Sequence, residues 1–219
     1  MSRVMALDIE TSNYSYEIGG WDNTHLFKTT VVATYDGDDA TIFCNEDIDV
    51  DAIVKPLHPR DVGDHILNHV QNGGALVGHN ILRFDLPILR DSLDCFGAGE
   101  VLRKHRDNIL DTSQHLRKST GVIGNSFFVT LDDVCKHTLG EGKTAMKSAD
   151  APKAWEDKQY SDVAKYCLSD ARLNWGLWQH GVTHGFVKSR SRWSGDLIDL
   201  EVDWKWEKGE TIIHKRHSS

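Results

Sequence analysis

The pattern of hydrophobic and polar positions at the start of the chain predicts β-strands. Residues 3–9 are mostly apolar, and residues 28–35 are rich in β-branched side chains. Residues 36–39, Asp-Gly-Asp-Asp, are typical of a turn, after which residues 40–44 can pair back as a third strand. Residues 13–27 are polar and contain glycine, as expected of a loop. The chain is therefore predicted to begin with an antiparallel meander.

Apolar positions at helical spacing follow the meander and alternate with short strands. Apolar residues recur every three or four positions over residues 62–70 and predict a helix that ends at Gly73. The further predicted elements are strands at residues 75–78 and 108–110 and helices at residues 84–93, 131–139 and 161–180. Strands followed by strand–helix alternation indicate an α/β fold in which helices flank a mixed central sheet.

The pattern changes near the C-terminus. Residues 188–194 are basic and polar, and apolar residues then alternate with charged ones over residues 200–207. This alternation, a turn signal at residues 208–209 and a return strand at residues 211–214 predict a β-hairpin. The predicted domains are a core at residues 1–186 and a C-terminal basic segment with a hairpin extension at residues 187–219.

Composition places the chain among ordinary globular proteins but with an acidic balance. Its 25 basic and 33 acidic residues give a net charge of -8, which by itself argues against a nucleic-acid partner. A site that gathers carboxylates around metal ions would add negative charge whose sign the metals reverse locally. Because no apolar stretch approaches the roughly 18–20 residues of a membrane span, and no signal-peptide pattern begins the chain, we expect a cytoplasmic protein with four unpaired cysteines.

Two acids lie at the end of the first predicted strand. Asp8 and Glu10 are two residues apart, and side chains at this spacing point to the same face of a strand. Two carboxylates whose backbones are about 6–7 Å apart repel each other unless a cation lies between them. The pair taken alone favours a solvated strand end over a metal site.

Three further candidates lie on predicted helices. Asp85 opens a helix directly after a strand, where an acid can belong to a site or can cap the helix. Tyr166 and Asp170 are four residues apart on the long predicted helix and therefore share one face, at the edge of its apolar stripe. Spacing alone favours an ordinary surface Tyr–Asp pair over a site.

Taken together, these motifs resemble those of the DEDD superfamily of 3′–5′ exonucleases, which share the ribonuclease H-like fold. The motifs are Asp-Ile-Glu-Thr at residues 8–11, Asn-x-x-x-Phe-Asp at residues 80–85 and Tyr-Cys-Leu-Ser-Asp at residues 166–170. The third is similar to the DEDDy subgroup, and the second is similar to the exonuclease domain of family B DNA polymerases. The resemblance covers residues 4–180 and implies a free-standing exonuclease, since the chain has no room for a polymerase domain.

The resemblance implies two Mg²⁺ or Mn²⁺ ions and hydrolysis from the 3′ end of single-stranded nucleic acid, with release of nucleoside 5′-monophosphates. Asp8 would contact both ions, while Glu10 and Asp170 would bind the ion that activates the attacking water. Asp85 would bind the second ion, and Tyr166 would orient the water. Carboxylate oxygens are the ligands that both metals prefer.

The resemblance also implies contacts to the substrate. Backbone N–H groups around Thr11 and Ser12 would meet the terminal nucleotide, and Asn80 would touch the substrate strand. Lys143 would reach a phosphate from its loop. Residues 140–144, Gly-Glu-Gly-Lys-Thr, end like a P-loop but follow a predicted helix instead of a strand, so we do not predict nucleoside-triphosphate binding.

Three functions remain open from the sequence. The first, which we favour, is a DNA exonuclease in proofreading or repair, with a DNA polymerase or another replication or repair protein as a candidate partner. The second is an exonuclease that trims RNA. The third is a nucleic-acid-binding module that keeps the fold without catalysis. Four mutually repelling carboxylates favour an enzyme, because a binding module has no physical need of them.

Overall fold

The computed structural model describes residues 4–119, 127–142 and 146–204, and its centre is a mixed β-sheet flanked by helices. The strands of this sheet are β1 Val4–Thr11, β2 Thr29–Tyr35, β3 Ala40–Phe43, β4 Ile53–Lys55, β5 Ala75–Gly78 and β6 Ile109–Asp111. Their spatial order is β4-β3-β2-β1-β5-β6. The pairs β1–β2 and β2–β3 are antiparallel, whereas β3–β4, β1–β5 and β5–β6 are parallel.

Strand β1 divides the hydrophobic core between the two faces of the sheet. Met5, Leu7 and Ile9 belong to one cluster, while Val4 and Ala6 belong to the other, as the alternation of a strand requires. The helices are α1 Pro59–Gln71, α2 Asp85–Asp91, α3 Phe96–Lys104, α4 Thr112–Ser119, α5 Leu131–Thr138, α6 Ala151–Glu156 and α7 Tyr160–His184. Helices α1 to α3 pack on the face of Met5, and helices α4 to α7 contribute side chains to the face of Val4.

The predicted meander is confirmed, because β1, β2 and β3 are antiparallel neighbours in the sheet. Strands β5 and β6 and helices α1, α2, α5 and α7 are also present within a few residues of their predicted bounds. Strands β4 and β7 Phe127–Phe128 and helices α3, α4 and α6 were not predicted from the sequence. Strand β4 is exposed along its length, and α4 is mostly polar (TSQHLRKS), so neither shows the apolar period that identifies an element in a sequence.

The C-terminal hairpin is present, but its strands are not the predicted ones. Strand β8 Phe186–Ser191 pairs with β9 Leu197–Glu201 and, on its other side, with the short strand β7 Phe127–Phe128. The residues predicted as a basic segment therefore begin inside a strand. The predicted turn at residues 208–209 and the return strand at residues 211–214 lie outside the described residues.

The end of this hairpin packs into the core beside α7. Leu200, Val202 and Trp204 are buried at the alternating positions that the pattern predicted, although the ladder itself ends at Glu201. The backbone carbonyl of Trp204 accepts a hydrogen bond from the Trp178 indole at 3.1 Å. The hairpin thus packs against the first predicted domain. The predicted domain boundary between residues 186 and 187 stays a prediction.

The expectation of unpaired cysteines is confirmed. Cys44, Cys95, Cys135 and Cys167 are buried free thiols. Burial raises the pKa of Cys44 and of Cys95, which keeps both groups protonated. None of the helices in the described part of the chain has the length and apolar character that a membrane crossing requires.

The close packing of α1 against α3 predicts opposite effects for two glycines of one helix. A methyl group at Gly97 would overlap the backbone of Gly63, whereas one at Gly99 would meet only the flexible side chain of Arg90 at 3.5 Å. Gly97→Ala is expected to lower the free energy of unfolding by about 1–3 kcal/mol through overpacking. Gly99→Ala is expected to raise it by about 0.5–1 kcal/mol through helix propensity. Urea unfolding of both variants measures this, and effects of the same sign would contradict it.

Candidate metal centre

Strand β1 runs past its neighbour β5 and carries two acids beyond it. The β1–β5 ladder ends at Ala6, whereas β1 continues to Thr11. Asp8 and Glu10 lie in this extension, on the face of the sheet that Ala6 occupies, as their spacing predicted. Asp8 is half-buried, and Glu10 is buried. The missing neighbour leaves room for other elements to approach these carboxylates.

A β-bulge changes the direction of the strands next to the second acid. Thr30 is the extra residue on β2, between the partners of Glu10 and Thr11. The Thr30 hydroxyl donates to the Glu10 carbonyl at 3.0 Å and so pairs a buried acceptor at the bulge. The chain leaves the sheet at this point and enters the loop that follows β1.

Helix α7 brings a third acid and the predicted tyrosine to the same place. Tyr166 and Asp170 lie one helical turn apart and are 1% and 3% exposed. The thiol of Cys167, between them, donates to the Asp8 carbonyl at 3.4 Å. Burial raises the pKa of Cys167 well above its ordinary value, and the charges of Asp8, Glu10 and Asp170 raise it further. Three of the predicted carboxylates therefore lie around one thiol.

Asp85 joins the cluster from the other side of β1. It is the first residue of α2 and is 3% exposed. Burial raises the pKa of Asp85 to about 7, although backbone hydrogen bonds from its own N–H and from Ile9 lower it in part. The charges of Asp111 and Asp170 add to the rise. Because Ile9 lies between the first two acids on β1, the structure brings all four predicted acids together.

The chemistry of this set of donors fits a divalent cation. The groups whose charges raise the pKa of Asp85 and Cys167 are all acidic, and buried like charges destabilise a fold unless a cation offsets them. Carboxylate oxygens suit Mg²⁺ or Mn²⁺. Within residues 4–119, 127–142 and 146–204, no three His, Cys, Asp or Glu side chains form a ready coordination group.

The hydroxyl of Tyr166 is held by a residue that the sequence analysis missed. It shares a hydrogen bond of 2.7 Å with the hydroxyl of Ser148. Ser148 lies in a turn closed by the bond from the Asp150 N–H to the Lys147 carbonyl at 2.8 Å. A serine in a polar turn gives no sequence signal that links it to a tyrosine on the next long helix.

The predicted substrate-binding residues have different environments. The Ser12 N–H donates to the Lys28 carbonyl at 2.9 Å, so this group already has a partner within the protein. The Thr11 hydroxyl donates to a backbone carbonyl two residues further on at 3.2 Å. Asn80 is exposed and adopts a φ of 75°, which presents it at a turn directly after β5. Lys143 lies outside the described residues.

A further buried acid, Asp111, organises the site and was not predicted. One of its carboxyl oxygens accepts from the N–H groups of Asn80 at 3.1 Å and Gln114 at 3.0 Å. The other accepts from the Leu82 N–H at 3.1 Å. Asp111 therefore caps α4 and also holds the turn that leads to Asp85. An acid followed three residues later by glutamine is a capping signal in a sequence. The bonds of Asp111 to the turn at Asn80 and Leu82 have no such signal, because they join segments from two different strands.

No family model and no curated protein matches this chain. The features that bear on its function are therefore the four acids, Tyr166 and the residues around them.

Removing the charge of Asp85 is expected to stabilise the metal-free protein. Its pKa is raised from 3.8 to about 7, so the folded state keeps a proton that the unfolded state releases. Stability from this group is fully present below about pH 4 and is lost as the pH rises towards 7. Asp85→Asn should therefore be more stable than the wild type by on the order of 1–3 kcal/mol at pH 8.

Thermal unfolding in chelator between pH 4 and pH 8 measures this difference. The matched control is Asp107→Asn, which changes an exposed aspartate. The stabilisation by Asp85→Asn should grow up to about pH 7 and then level. If the stability gain from Asp85→Asn did not change with pH, or if Asp107→Asn gave the same gain, burial would not be the cause of the raised pKa of Asp85.

Truncating Asp111 is expected to loosen the turn that presents Asn80 and Asp85. Asp111→Ala leaves the three N–H groups without their acceptor, at a cost of about 2–4 kcal/mol. Asp111→Asn keeps one acceptor oxygen and should lose about half as much. Urea unfolding and hydrogen exchange at the Asn80 and Leu82 amides measure this. Unchanged exchange at both amides in Asp111→Ala would show that the carboxyl does not hold the turn.

Proposed function

We propose that this protein is a metal-dependent 3′–5′ exonuclease that hydrolyses phosphodiester bonds at the 3′ end of single-stranded nucleic acid, with DNA as the favoured substrate. The observation that supports this proposal most is that Asp8, Glu10, Asp85 and Asp170 lie together at one end of the sheet. Three segments far apart in the sequence bring these acids to one place. Tyr166, one helical turn from Asp170, adds the residue that characterises the DEDDy group.

A ribonuclease H-like fold is part of the proposal. The mixed sheet supports it, because the antiparallel meander β1–β3 is extended on the other side of β1 by the parallel strands β5 and β6. The acids lie in β1, at the start of α2 and in the middle of α7. This is the order along the chain that the resemblance implies, namely a strand pair, a helix start and a later helix.

Two divalent ions, Mg²⁺ or Mn²⁺, are the proposed cofactors. Asp8 would hold both ions, Glu10 and Asp170 would hold the first, and Asp85 would hold the second. When bound, such a pair activates a water molecule and stabilises the leaving 3′ oxygen. The need for a cation explains why an acidic protein would keep four carboxylates in one cluster, three of them buried.

Tyr166 is proposed to orient the attacking water and not to take its proton. A phenol with the ordinary pKa of about 10 is a poor base at neutral pH. Its hydroxyl can accept one hydrogen bond and donate another. The bond to Ser148 at 2.7 Å fixes the direction of the hydroxyl, so a water on its other side would be held in a defined orientation.

The proposal predicts shortening of a labelled strand from its 3′ end. Single-stranded DNA and RNA of equal sequence, labelled at the 5′ end, are incubated with Mg²⁺, Mn²⁺ or chelator. A ladder of shorter products is expected with either metal, and none in chelator. Asp8→Asn should lower the rate of shortening by more than ~100-fold. Loss of a residue that only supports a metal ligand already costs up to that factor in activity. Asp107→Asn, an exposed acid away from the cluster, is the matched control.

The same assay separates the alternative functions. Faster shortening of RNA than of DNA would assign the second candidate, because the 2′-OH distinguishes the two substrates at one site. Intact strands with every metal, in a protein that still binds them, would leave only the non-catalytic binding module. Shortening that persists in chelator would contradict the metal centre.

A further inference from the structure

A groove with a volume of about 380 Å³ runs along the outer side of α7. Its floor is one stripe of that helix, and its walls are the loop before β4 and the loop after α5. Ligand pockets in proteins hold roughly 300–1,000 Å³, so this groove has the size of a site for a small molecule. We call it the α7 groove.

The α7 groove and the acid cluster lie on different faces of the same helix. Lys165 and Ser169 line the groove and directly precede Tyr166 and Asp170 in the sequence. Each helical residue is rotated by about 100° from the one before it, so the two stripes point in directions about a third of a turn apart. A ligand in the groove would therefore contact α7 without entering the metal centre.

Three donors follow one another along the floor of the groove. Lys165 and Arg172 are exposed, and Ser169 lies between them. The two cations are roughly 10 Å apart along the helix axis. The Arg172 guanidinium lies over the Tyr35 ring at 5.5 Å, with one nitrogen 3.5 Å from the Asp51 carbonyl oxygen, which holds it at its end of the groove.

This row of donors suits a phosphate group. Lys165 takes part in none of the ion pairs among the described residues, so its ammonium is not neutralised by a carboxylate there. A phosphate above Ser169 would have an ammonium on one side, a guanidinium on the other and a hydroxyl beneath it. Ammonium and guanidinium groups form charge-assisted hydrogen bonds with phosphate oxygens.

The walls of the groove add two other kinds of contact. Asp51 and Glu141 are exposed acids, and they would repel an inorganic anion. A carboxylate can instead accept a hydrogen bond from a sugar hydroxyl, as acids do in dinucleotide-binding folds. Val50 and Leu139 are half-buried and give each wall an apolar surface. The lining thus fits a ligand that combines a phosphate, hydroxyl groups and a flat ring.

We propose that the α7 groove binds a nucleoside 5′-monophosphate. The phosphate lies above Ser169 between the two cations, a sugar hydroxyl donates to a carboxylate of the wall, and the base packs on the apolar surface. The inference rests on the proposed function for the identity of the ligand, because nucleoside 5′-monophosphates are the products of that reaction. It assigns a product-binding site outside the metal centre, in which side chains alone offset the phosphate charge.

The test measures binding by isothermal titration calorimetry in chelator, so that divalent ions cannot hold a phosphate at the acid cluster. The probes are AMP, dAMP, adenosine and inorganic phosphate. The proteins are the wild type, Lys165→Ala and Lys165→Arg. The matched control is Lys118→Ala, which truncates an exposed lysine on α4. Asp8→Asn is titrated with AMP in parallel.

The wild type should bind one AMP or dAMP per chain, and adenosine and inorganic phosphate more weakly. Lys165→Ala should weaken AMP binding by about tenfold or more, as expected for loss of one charge-assisted hydrogen bond. The same variant should scarcely change adenosine binding, and this non-additivity identifies the phosphate as the partner of the ammonium. Lys165→Arg should restore most of the affinity, while Lys118→Ala and Asp8→Asn should match the wild type.

Three results would overturn the inference. The first is no saturable binding of AMP or dAMP by the wild type. The second is equal weakening of AMP and adenosine by Lys165→Ala, or none of either. The third is inorganic phosphate that binds as tightly as AMP, which would make the groove a simple anion site. AMP binding that requires Mg²⁺ and is lost in Asp8→Asn would likewise place the nucleotide at the metal centre instead.

The groove and the proposed function fail separately. Intact DNA and RNA strands in the degradation assay, with AMP bound in chelator, would remove the exonuclease and leave the nucleotide site. Shortened strands without AMP binding would do the reverse.

Discussion

Repulsion among the buried carboxylates at the end of β1 is the constraint on which the surrounding structure depends. Backbone N–H groups offset part of the charge of two of these acids. Asp111 accepts three of them, and Asp85 accepts its own and that of Ile9. Burial nevertheless raises the pKa of Asp85 to about 7, so the offset is incomplete. A bound divalent ion would supply the remainder, and the stability of this fold would then be linked to the concentration of that ion.

Helix α7 carries two of the site residues and also packs in the hydrophobic core. The face of α7 that packs on the sheet carries the small residues Ala164, Cys167 and Ala171, all fully buried, which let the helix approach β1 closely. At its far end, the ring of Trp204 lies directly against Gly181, where a side chain would displace it. The three-stranded sheet β7–β9 therefore packs against the same helix that carries two of the site residues. A long packed helix positions side chains more accurately than a loop does.

Helix α2 connects the acid cluster with the surface beside it. Asp85 lies at its first residue, and Asp91 and Ser92 at its other end anchor the loop that follows β1. The acid cluster and the loop that follows β1 thus share one rigid element. In a protein with a net charge of -8, long-range attraction to phosphates is absent as a general driving force. If the protein binds nucleic acid as proposed, recognition would depend on short-range contacts around the acid cluster.

Local patterns in the sequence are enough to predict the meander, helix α7 and the shared face of Asp8 and Glu10, because strand alternation and helical period depend only on near neighbours. The same patterns show that Val202 and Trp204 point inwards but not where the ladder of the hairpin ends, since pairing depends on a partner strand. The raised pKa of Asp85 and the roles of Asp111 and Ser148 follow only from the tertiary structure. Each depends on burial and on hydrogen bonds between segments that are far apart along the chain, and these form only when the segments pack.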